Sequence, residues 1–179
     1  ISIIRVDERN REALLDFVRA LLDSHLEPVA LELGNPALCR RLTGFATAGL
    51  FIAFEDVKTA VDYQLDWVIK HLPPGAVIEN VFGNEADEWW SRFYRLPPVP
   101  ASGEPVPEQD DGVALKIGSK NMQVPEILQH ADRLGERHRL SVLAHGGLAH
   151  GVTKIYLTGT GGDLYGYIRD MRSFTAQIG

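Results

Sequence analysis

The feature that most constrains the fold of this sequence is a hydrophobic period that changes from two residues to about 3.6 and back, repeatedly along the chain. Apolar residues alternate at 1–6, repeat at helical spacing at 13–22, and return to a short strand pattern at 29–33. Period two is typical of a strand with one buried face, and the longer period is typical of an amphipathic helix. This segment therefore predicts a β-α-β unit, with Asp7 as the N-cap of its helix.

The same order recurs in the next part of the chain. A short helix is expected to begin at Asn35-Pro36, because Asn is a favourable N-cap and Pro a favourable first helical residue. Residues 50–54 then alternate as a strand, 57–72 repeat as a helix, and 76–82 predict another strand. Two β-α-β units in tandem are typical of a ferredoxin-like α+β sandwich.

The second half of the sequence predicts a further strand-helix-strand unit, a hairpin and two more helices. The predicted elements are strands at 113–117, 140–144 and 152–157 and helices at 84–96, 124–134 and 164–174. We therefore predict an α+β fold with about seven strands and six helices in a mainly antiparallel sheet. The helices are expected to pack on one face, which leaves the other face free to cover a ligand or a partner.

Residues 97–112 differ from the rest of the chain in composition. They contain five prolines and four acidic residues and no basic residue, so they predict an extended connector without a core of its own. The 67 residues that follow would make a small independent core. We therefore interpret 97–112 as a long loop inside a single domain that spans 1–179.

Charge and cysteine usage exclude several classes of protein. The formal net charge is −6, so no broad basic field attracts nucleic acid or an anionic membrane. No apolar run is long enough to cross a bilayer, and the single cysteine, Cys39, has no partner for an internal disulfide. These features favour a cytoplasmic protein in which Cys39 is a helix residue rather than a reactive thiol. Because the sequence enters a strand pattern at Ile1 without a Met, we expect it to belong to a longer polypeptide.

The most unusual local sequence is the Gly-rich stretch from His145 to Gly151. Two imidazoles, those of His145 and His150, are five residues apart across a tight turn, where they could converge on a metal ion or an anionic substrate. In an ideal strand this spacing places them on opposite faces, so convergence requires the turn to redirect one of them. No cysteine or dense carboxylate group lies nearby, and we predict no metal site. The alternative is a hairpin turn with one imidazole hydrogen-bonded and the other solvated.

Two further segments have possible binding chemistry. The run from Gly159 to Asp163 follows a strand and precedes a helix, where backbone N–H groups can hold a phosphate. It lacks the third glycine of a dinucleotide-binding loop, so a plain turn with Asp163 near the N-cap is favoured. The pair Trp89-Trp90, with Arg92 and Arg95, could instead form an aromatic and guanidinium wall for a carboxylate or a flat ring.

Four short runs indicate a family. They are Leu-Glu-Pro-Val-Ala-Leu-Glu-Leu at 26–33, Gly-Leu-Phe-Ile-Ala-Phe-Glu at 49–55, Trp-Trp-Ser-Arg at 89–92 and His-Gly-Gly at 145–147. In this order they resemble the C-terminal cap, or substrate-side, domain of FAD-linked oxidases of the vanillyl-alcohol oxidase and glycolate oxidase type. The resemblance spans nearly the whole chain. It implies that a separate N-terminal domain of the same polypeptide binds FAD and that this chain covers the flavin ring.

The resemblance also has a departure. Many members that act on 2-hydroxy acids have a His-x-Gly-Asp-Gly-Asn stretch at the hairpin, whereas here Leu148, Ala149 and His150 follow Gly147. The acidic and amide groups of that motif are missing, which argues against a metal or catalytic role of the family type at this hairpin. Members of the glycolate oxidase FAD-binding subunit type often deviate at such positions, so the resemblance favours that branch or a related oxidoreductase.

The resemblance implies a cap domain of an FAD-dependent oxidoreductase that oxidises a small 2-hydroxy acid such as glycolate. His145 would then be the catalytic base, Arg92 or Arg95 would bind the substrate carboxylate, and Trp89 and His150 would contact the substrate. Expected partners are the FAD-binding domain, other oxidase subunits and the small-molecule substrate. The isolated chain would be inactive and would not retain FAD. Two alternatives are a non-catalytic ferredoxin-like binding or oligomerisation module and a small phosphate-binding protein that uses 159–162.

Overall fold

The computed structural model describes residues 1–5, 7–96, 112–159 and 161–178. The predicted Pro-rich loop therefore lies, except for Gly112, outside the described residues. The strands are β1 (Ser2–Arg5), β2 (Ala30–Gly34), β3 (Gly49–Ala53), β4 (Val77–Asn80), β5 (Val113–Gly118), β6 (Ser141–Gly147) and β7 (Val152–Thr158). The helices are α1 (Arg11–Leu22), α2 (Pro36–Thr43), α3 (Lys58–His71), α4 (Gly83–Tyr94), α5 (Val124–His138) and α6 (Leu164–Ile178). Two short 3₁₀ turns, Glu8–Asn10 and Asn121–Gln123, precede α1 and α5.

All seven strands belong to one sheet, in the order β4-β1-β3-β2-β6-β7-β5. Every neighbouring pair is antiparallel. In the first half, β1 and β2 flank β3, and β1 lies between β3 and β4, which is the arrangement of two interleaved β-α-β units. In the second half, β5 and β6 flank β7 and are joined by α5. The predicted α+β, ferredoxin-like and mainly antiparallel fold is confirmed.

Four helices pack on one face of the sheet, as the sequence predicts. The larger core cluster combines residues of α1, α3, α5 and α6 with alternate strand residues such as Ile4, Leu31, Val142 and Ile155. These strand positions follow the period of two expected for one buried face. Helix and strand residues together form this apolar core, and its burial stabilises the fold.

The expectation that all helices share this face is wrong for α2 and α4, which pack on the opposite face. A second core cluster joins them to Ile3 and Phe51, and it includes Cys39, Trp89 and Phe93. All five residues of β3 are buried. A strand that is covered on both faces is a continuous apolar run rather than an alternating one, and α2 and α4 cover the second face. The uncovered surface is therefore only part of that face.

The Asn35-Pro36 start of α2 is confirmed and involves more than a helix cap. The Asn35 side chain is 2% exposed, and its Oδ1 accepts hydrogen bonds from the N–H groups of Leu38, at 3.0 Å, and Ala144, at 3.1 Å. Its Nδ2 donates to Asp132 Oδ1 at 2.6 Å and to the Val142 carbonyl at 3.0 Å. One amide thus joins α2, β6 and α5.

Cys39 is buried completely, at 0% exposure, in the core between α2 and the sheet. Burial raises the pKa of its thiol to about 12, because the charged thiolate loses its hydration there. At pH 8 the thiolate is absent, and we expect iodoacetamide to leave the folded chain unmodified over hours. In 6 M guanidinium the same cysteine should react within minutes, and mass spectrometry counts the added group. Equal modification rates in the two states would contradict this burial.

Candidate functional site

Glu32 is a carboxylate that the alternation of β2 places among apolar residues. Its neighbours Leu31 and Leu33 face the larger core, so Glu32 points to the opposite face of the sheet, beside Phe51 in the β2–β3 register. The Glu32 side chain is only 13% exposed. A carboxylate at this depth needs partners that compensate for its lost hydration.

His145 is the first of these partners. It lies on β6, two register positions from Glu32 and therefore on the same face, because Gly34 pairs with His145 and Glu32 pairs with Gly147. The His145 Nδ1 lies 2.8 Å from Glu32 Oε2. Because a carboxylate only accepts hydrogen bonds, Nδ1 has the proton and Nε2 of the neutral ring keeps its lone pair. Within the described part of the chain this Nε2 forms no hydrogen bond, so it is available to accept a proton.

His150 is the second partner, and the turn redirects it as convergence requires. The Nε2 of His150 lies 3.4 Å from Glu32 Oε1, and its Nδ1 accepts a hydrogen bond from the Val152 N–H at 3.2 Å. Both ring nitrogens are therefore engaged, so His150 stabilises the Glu32 carboxylate rather than offering a free base. The turn is closed by a hydrogen bond of 2.8 Å from the Gly151 N–H to the Gly147 carbonyl.

Glycine at two positions allows this arrangement. Gly147 has no side chain on the surface where the His150 ring lies, and a Cβ there would overlap that ring. Gly151 adopts φ of +70°, a conformation that residues with a Cβ rarely adopt. Gly147 of the His-Gly-Gly run therefore matters, because its missing side chain lets the His150 imidazole lie over the strand.

Aromatic rings form the walls beside His145. The Phe93 ring meets the His145 ring edge to face at 4.6 Å between centroids, and the Tyr156 ring lies stacked at 6.1 Å. Partial burial, and secondarily the charge of Glu32, raise the pKa of the Tyr156 hydroxyl. Tyr156 thus keeps its proton at neutral pH and remains a hydrogen-bond donor. We call Glu32, His145, His150 and Tyr156 the Glu32 cluster.

Sequence reasoning identified the two histidines and missed the group on which they converge. The available signal was Glu32 itself, a single charged residue inside the apolar strand pattern at 29–33. A charged side chain within a buried strand predicts a partner across the sheet. The sequence does not contain the β2–β6 register that brings residues 113 positions apart together.

Trp89 lies in the core. Its side chain is 2% exposed, and its ring packs at 4.9 Å from Phe51 and 5.5 Å from Phe93. The indole thus faces the sheet in this structure, and the substrate contact of Trp89 stays a prediction from the sequence. Trp90, the next residue on α4, is the partly exposed member of the pair.

Arg92 and Arg95 are exposed residues at the end of α4. Among the described residues, no hydrogen bond or ion pair joins either guanidinium to the Glu32 cluster. The structure thus brings together two of the predicted site residues, His145 and His150, and leaves these two arginines outside their contacts.

The Gly-rich turn before α6 is a helix start. Asp163 Oδ1 accepts a hydrogen bond from the Gly166 N–H at 2.8 Å. A carboxylate thus occupies the place where a phosphate would contact the helix N-terminus. This favours the plain turn; Thr160 of this segment lies outside the described residues.

The described residues contain neither a metal-site cluster nor a helix that could span a membrane. No group of three or more His, Cys, Asp or Glu side chains there has the arrangement of a metal site. In the Glu32 cluster both imidazoles instead direct a nitrogen toward the carboxylate. No helix in the described ranges has the length and apolarity needed to span a membrane.

The fold resembles parts of larger proteins of known structure. A 4-ethylphenol oxidase from Gulosibacter chungangensis, in complex with isoeugenol, matches with a TM-score of 0.54 and 14% identity over 88% of this chain. An alkyldihydroxyacetonephosphate synthase matches with a TM-score of 0.50 and 15% identity over 99% of this chain. The chain spans 38% of the length of each of these two proteins. At such identities the likeness shows a shared fold.

Direct sequence comparison adds no relative. No protein-family model matches the sequence, and no curated protein matches it.

Proposed function

We propose that this chain is the substrate-side cap domain of an FAD-dependent oxidoreductase that oxidises a small 2-hydroxy acid such as glycolate. Three features support this proposal: the resemblance of the sequence runs, the fold shared with part of an oxidase, and the Glu32 cluster. The single observation that carries it is the His145 ring, whose Nδ1 is held by Glu32 while Nε2 is unpaired within the described residues. That arrangement is typical of a general base held by a carboxylate.

The proposed chemistry divides between this chain and the flavin. When bound, FAD would accept the hydride from the substrate carbon. His145 Nε2 would take the proton of the substrate hydroxyl, and Glu32 would stabilise the imidazolium that forms. His150 would hold Glu32 from its other side, and the Tyr156 hydroxyl could donate to the substrate oxygen. Phe93 lies on one side of the His145 ring and excludes water there.

The described residues of this chain offer no evident place for the phosphates of FAD. The only Gly-rich helix start in the described part of the chain is already occupied by the Asp163 carboxylate. We therefore propose that a separate N-terminal domain of the same polypeptide binds FAD and that this chain contacts only the ring side. Cytoplasmic location and association with other oxidase subunits remain predictions from the sequence.

The choice of substrate rests on the sequence resemblance. The matched oxidase is named for 4-ethylphenol and the second protein is a synthase, so the glycolate branch is our proposal and not a property of these neighbours. Arg92 and Arg95 remain proposed carboxylate ligands, and their exposed position leaves them free to meet a neighbouring domain.

The proposal is tested by expressing the complete polypeptide and the 179-residue chain side by side. We expect the complete polypeptide to be purified with one flavin, and the chain alone to show no flavin absorbance. Anaerobic addition of glycolate or lactate should bleach the visible absorbance of the oxidised flavin at roughly 1–10³ s⁻¹.

Two outcomes would contradict the proposal. A stoichiometric flavin on the isolated chain would place FAD binding in this domain. A complete polypeptide without flavin would favour the alternative of a non-catalytic binding module.

A further inference from the structure

The part of the sheet face next to His145 presents two lysines. In the β6–β7 register His145 pairs with Lys154, and in the β5–β7 register Lys154 pairs with Lys116. Residues directly opposite each other on antiparallel strands point to the same face, with Cβ atoms about 5 Å apart. His145, Lys154 and Lys116 therefore form one row across three strands, which we call the cationic row.

The two lysine side chains have like charges at directly opposite positions of β5 and β7. Like charges directly opposite each other in a sheet are destabilising. Both side chains are exposed, and neither forms an ion pair or hydrogen bond within the described ranges. The chain as a whole has 24 acidic residues against 18 basic ones, so an unpaired lysine pair is not a consequence of composition.

Glu32, a carboxylate on this face of the sheet, does not neutralise the row. Glu32 lies on the far side of His145 from Lys154, and its two oxygens already face His145 and His150. On the same face Tyr156, also on β7, lies directly opposite Leu143. The two lysines of the row are thus an open cationic surface that begins one strand away from His145.

The geometry points to the cationic row as the site that binds an anionic group of the substrate, a carboxylate or a phosphate ester. This inference rests on the proposed function and deepens it, because it names the substrate class and moves anion binding from α4 to β7 and β5. A lysine ammonium acts as a compact charge with three donors, which suits either anion. The reacting hydroxyl would then lie at His145, one strand away from Lys154.

The test uses the 179-residue chain without flavin, so it is independent of turnover. Glycolate and inorganic phosphate are titrated separately at low ionic strength, because salt screens exposed charges, and ethylene glycol is the neutral comparison. We expect NMR resonances of Lys116, Lys154 and His145 to shift together and to saturate with at least one anion. Saturation by phosphate alone would identify a phosphate ester as the class, and saturation by glycolate alone a carboxylate.

Matched variants separate this site from general charge effects. Lys154→Ala and Lys116→Ala should each weaken anion binding about tenfold, the scale of one charge-assisted contact. Lys70→Ala removes the same charge from α3, an exposed position on a helix of the opposite face, and should change binding less than about twofold. The spectrum of each variant reports whether it is folded.

Three results would overturn the inference. They are the absence of saturation with both anions, equal weakening by Lys70→Ala, and loss of binding in Arg92→Ala with unchanged binding in both row variants. The last result would indicate that the substrate carboxylate binds at α4 instead. Because no flavin is present in this titration, any of these results would contradict the anion-binding site only. The oxidoreductase proposal is tested separately, by the flavin experiment described above.

Discussion

Replacement of His145 with alanine in the complete flavoprotein is expected to slow flavin reduction by ~10²- to 10⁴-fold, the range for loss of a positioned general base. The sequence alone suggests that stability would be nearly unchanged. The structure predicts otherwise, because His145 is 5% exposed and its removal leaves Glu32 with one partner. We expect the alanine variant to lose about 1–3 kcal/mol of unfolding free energy as well.

A second variant separates the two effects. In His145→Asn, the side-chain amide can donate to Glu32 from nearly the position of Nδ1, but it offers no basic nitrogen at the position of Nε2. Its melting temperature should stay close to that of the wild type, while flavin reduction falls as far as in the alanine variant. Stopped-flow absorbance and thermal unfolding on the same samples measure both.

The matched control is His25→Asn, at an exposed position outside both core clusters. It should reduce flavin within about twofold of the wild type. If His145→Asn reduces flavin at the wild-type rate, the proposed base is wrong and the Glu32–His145 pair is structural.

Asn35→Ala is expected to lower the free energy of unfolding by about 3 kcal/mol, which corresponds to roughly 6–12 °C in melting temperature for a chain of this size. The amide is nearly inaccessible and makes four hydrogen bonds. Alanine would leave two backbone N–H groups and a carbonyl without partners in the interior, where each unsatisfied group costs about 1–3 kcal/mol before relaxation. Urea unfolding followed by circular dichroism measures the change.

Two comparisons test the reason for this loss. Asn84→Ala changes an exposed asparagine in the first turn of α4, and it should alter stability by less than about 0.5 kcal/mol. Asn35→Asp keeps an acceptor for the α2 cap but loses both donors and adds a charge beside Asp132. If the aspartate variant is as stable as the wild type, Asn35 acts only as a helix cap and does not tie α2 to β6 and α5.

The order and type of the elements could be read from the sequence because these depend on neighbours along the chain. The β3 pattern was predicted at 50–54 and is found at Gly49–Ala53, and the Asn35 cap was predicted at the correct residue. Hydrophobic period, capping and turn residues act over a few positions, so they are present in the local sequence. The antiparallel ferredoxin-like arrangement followed from the repeated β-α-β order.

What the tertiary structure alone decided is which side chains meet. Burial of β3 on both faces placed α2 and α4 opposite the other helices, and it put Trp89 in the core. The register between β2 and β6 brought Glu32 to His145, and the register of β5, β6 and β7 aligned His145 with two lysines. A shift of one residue in either register would turn these side chains to the other face, because strand side chains alternate. The sequence by itself therefore determined the elements and the two histidines, whereas long-range strand pairing selected their partners.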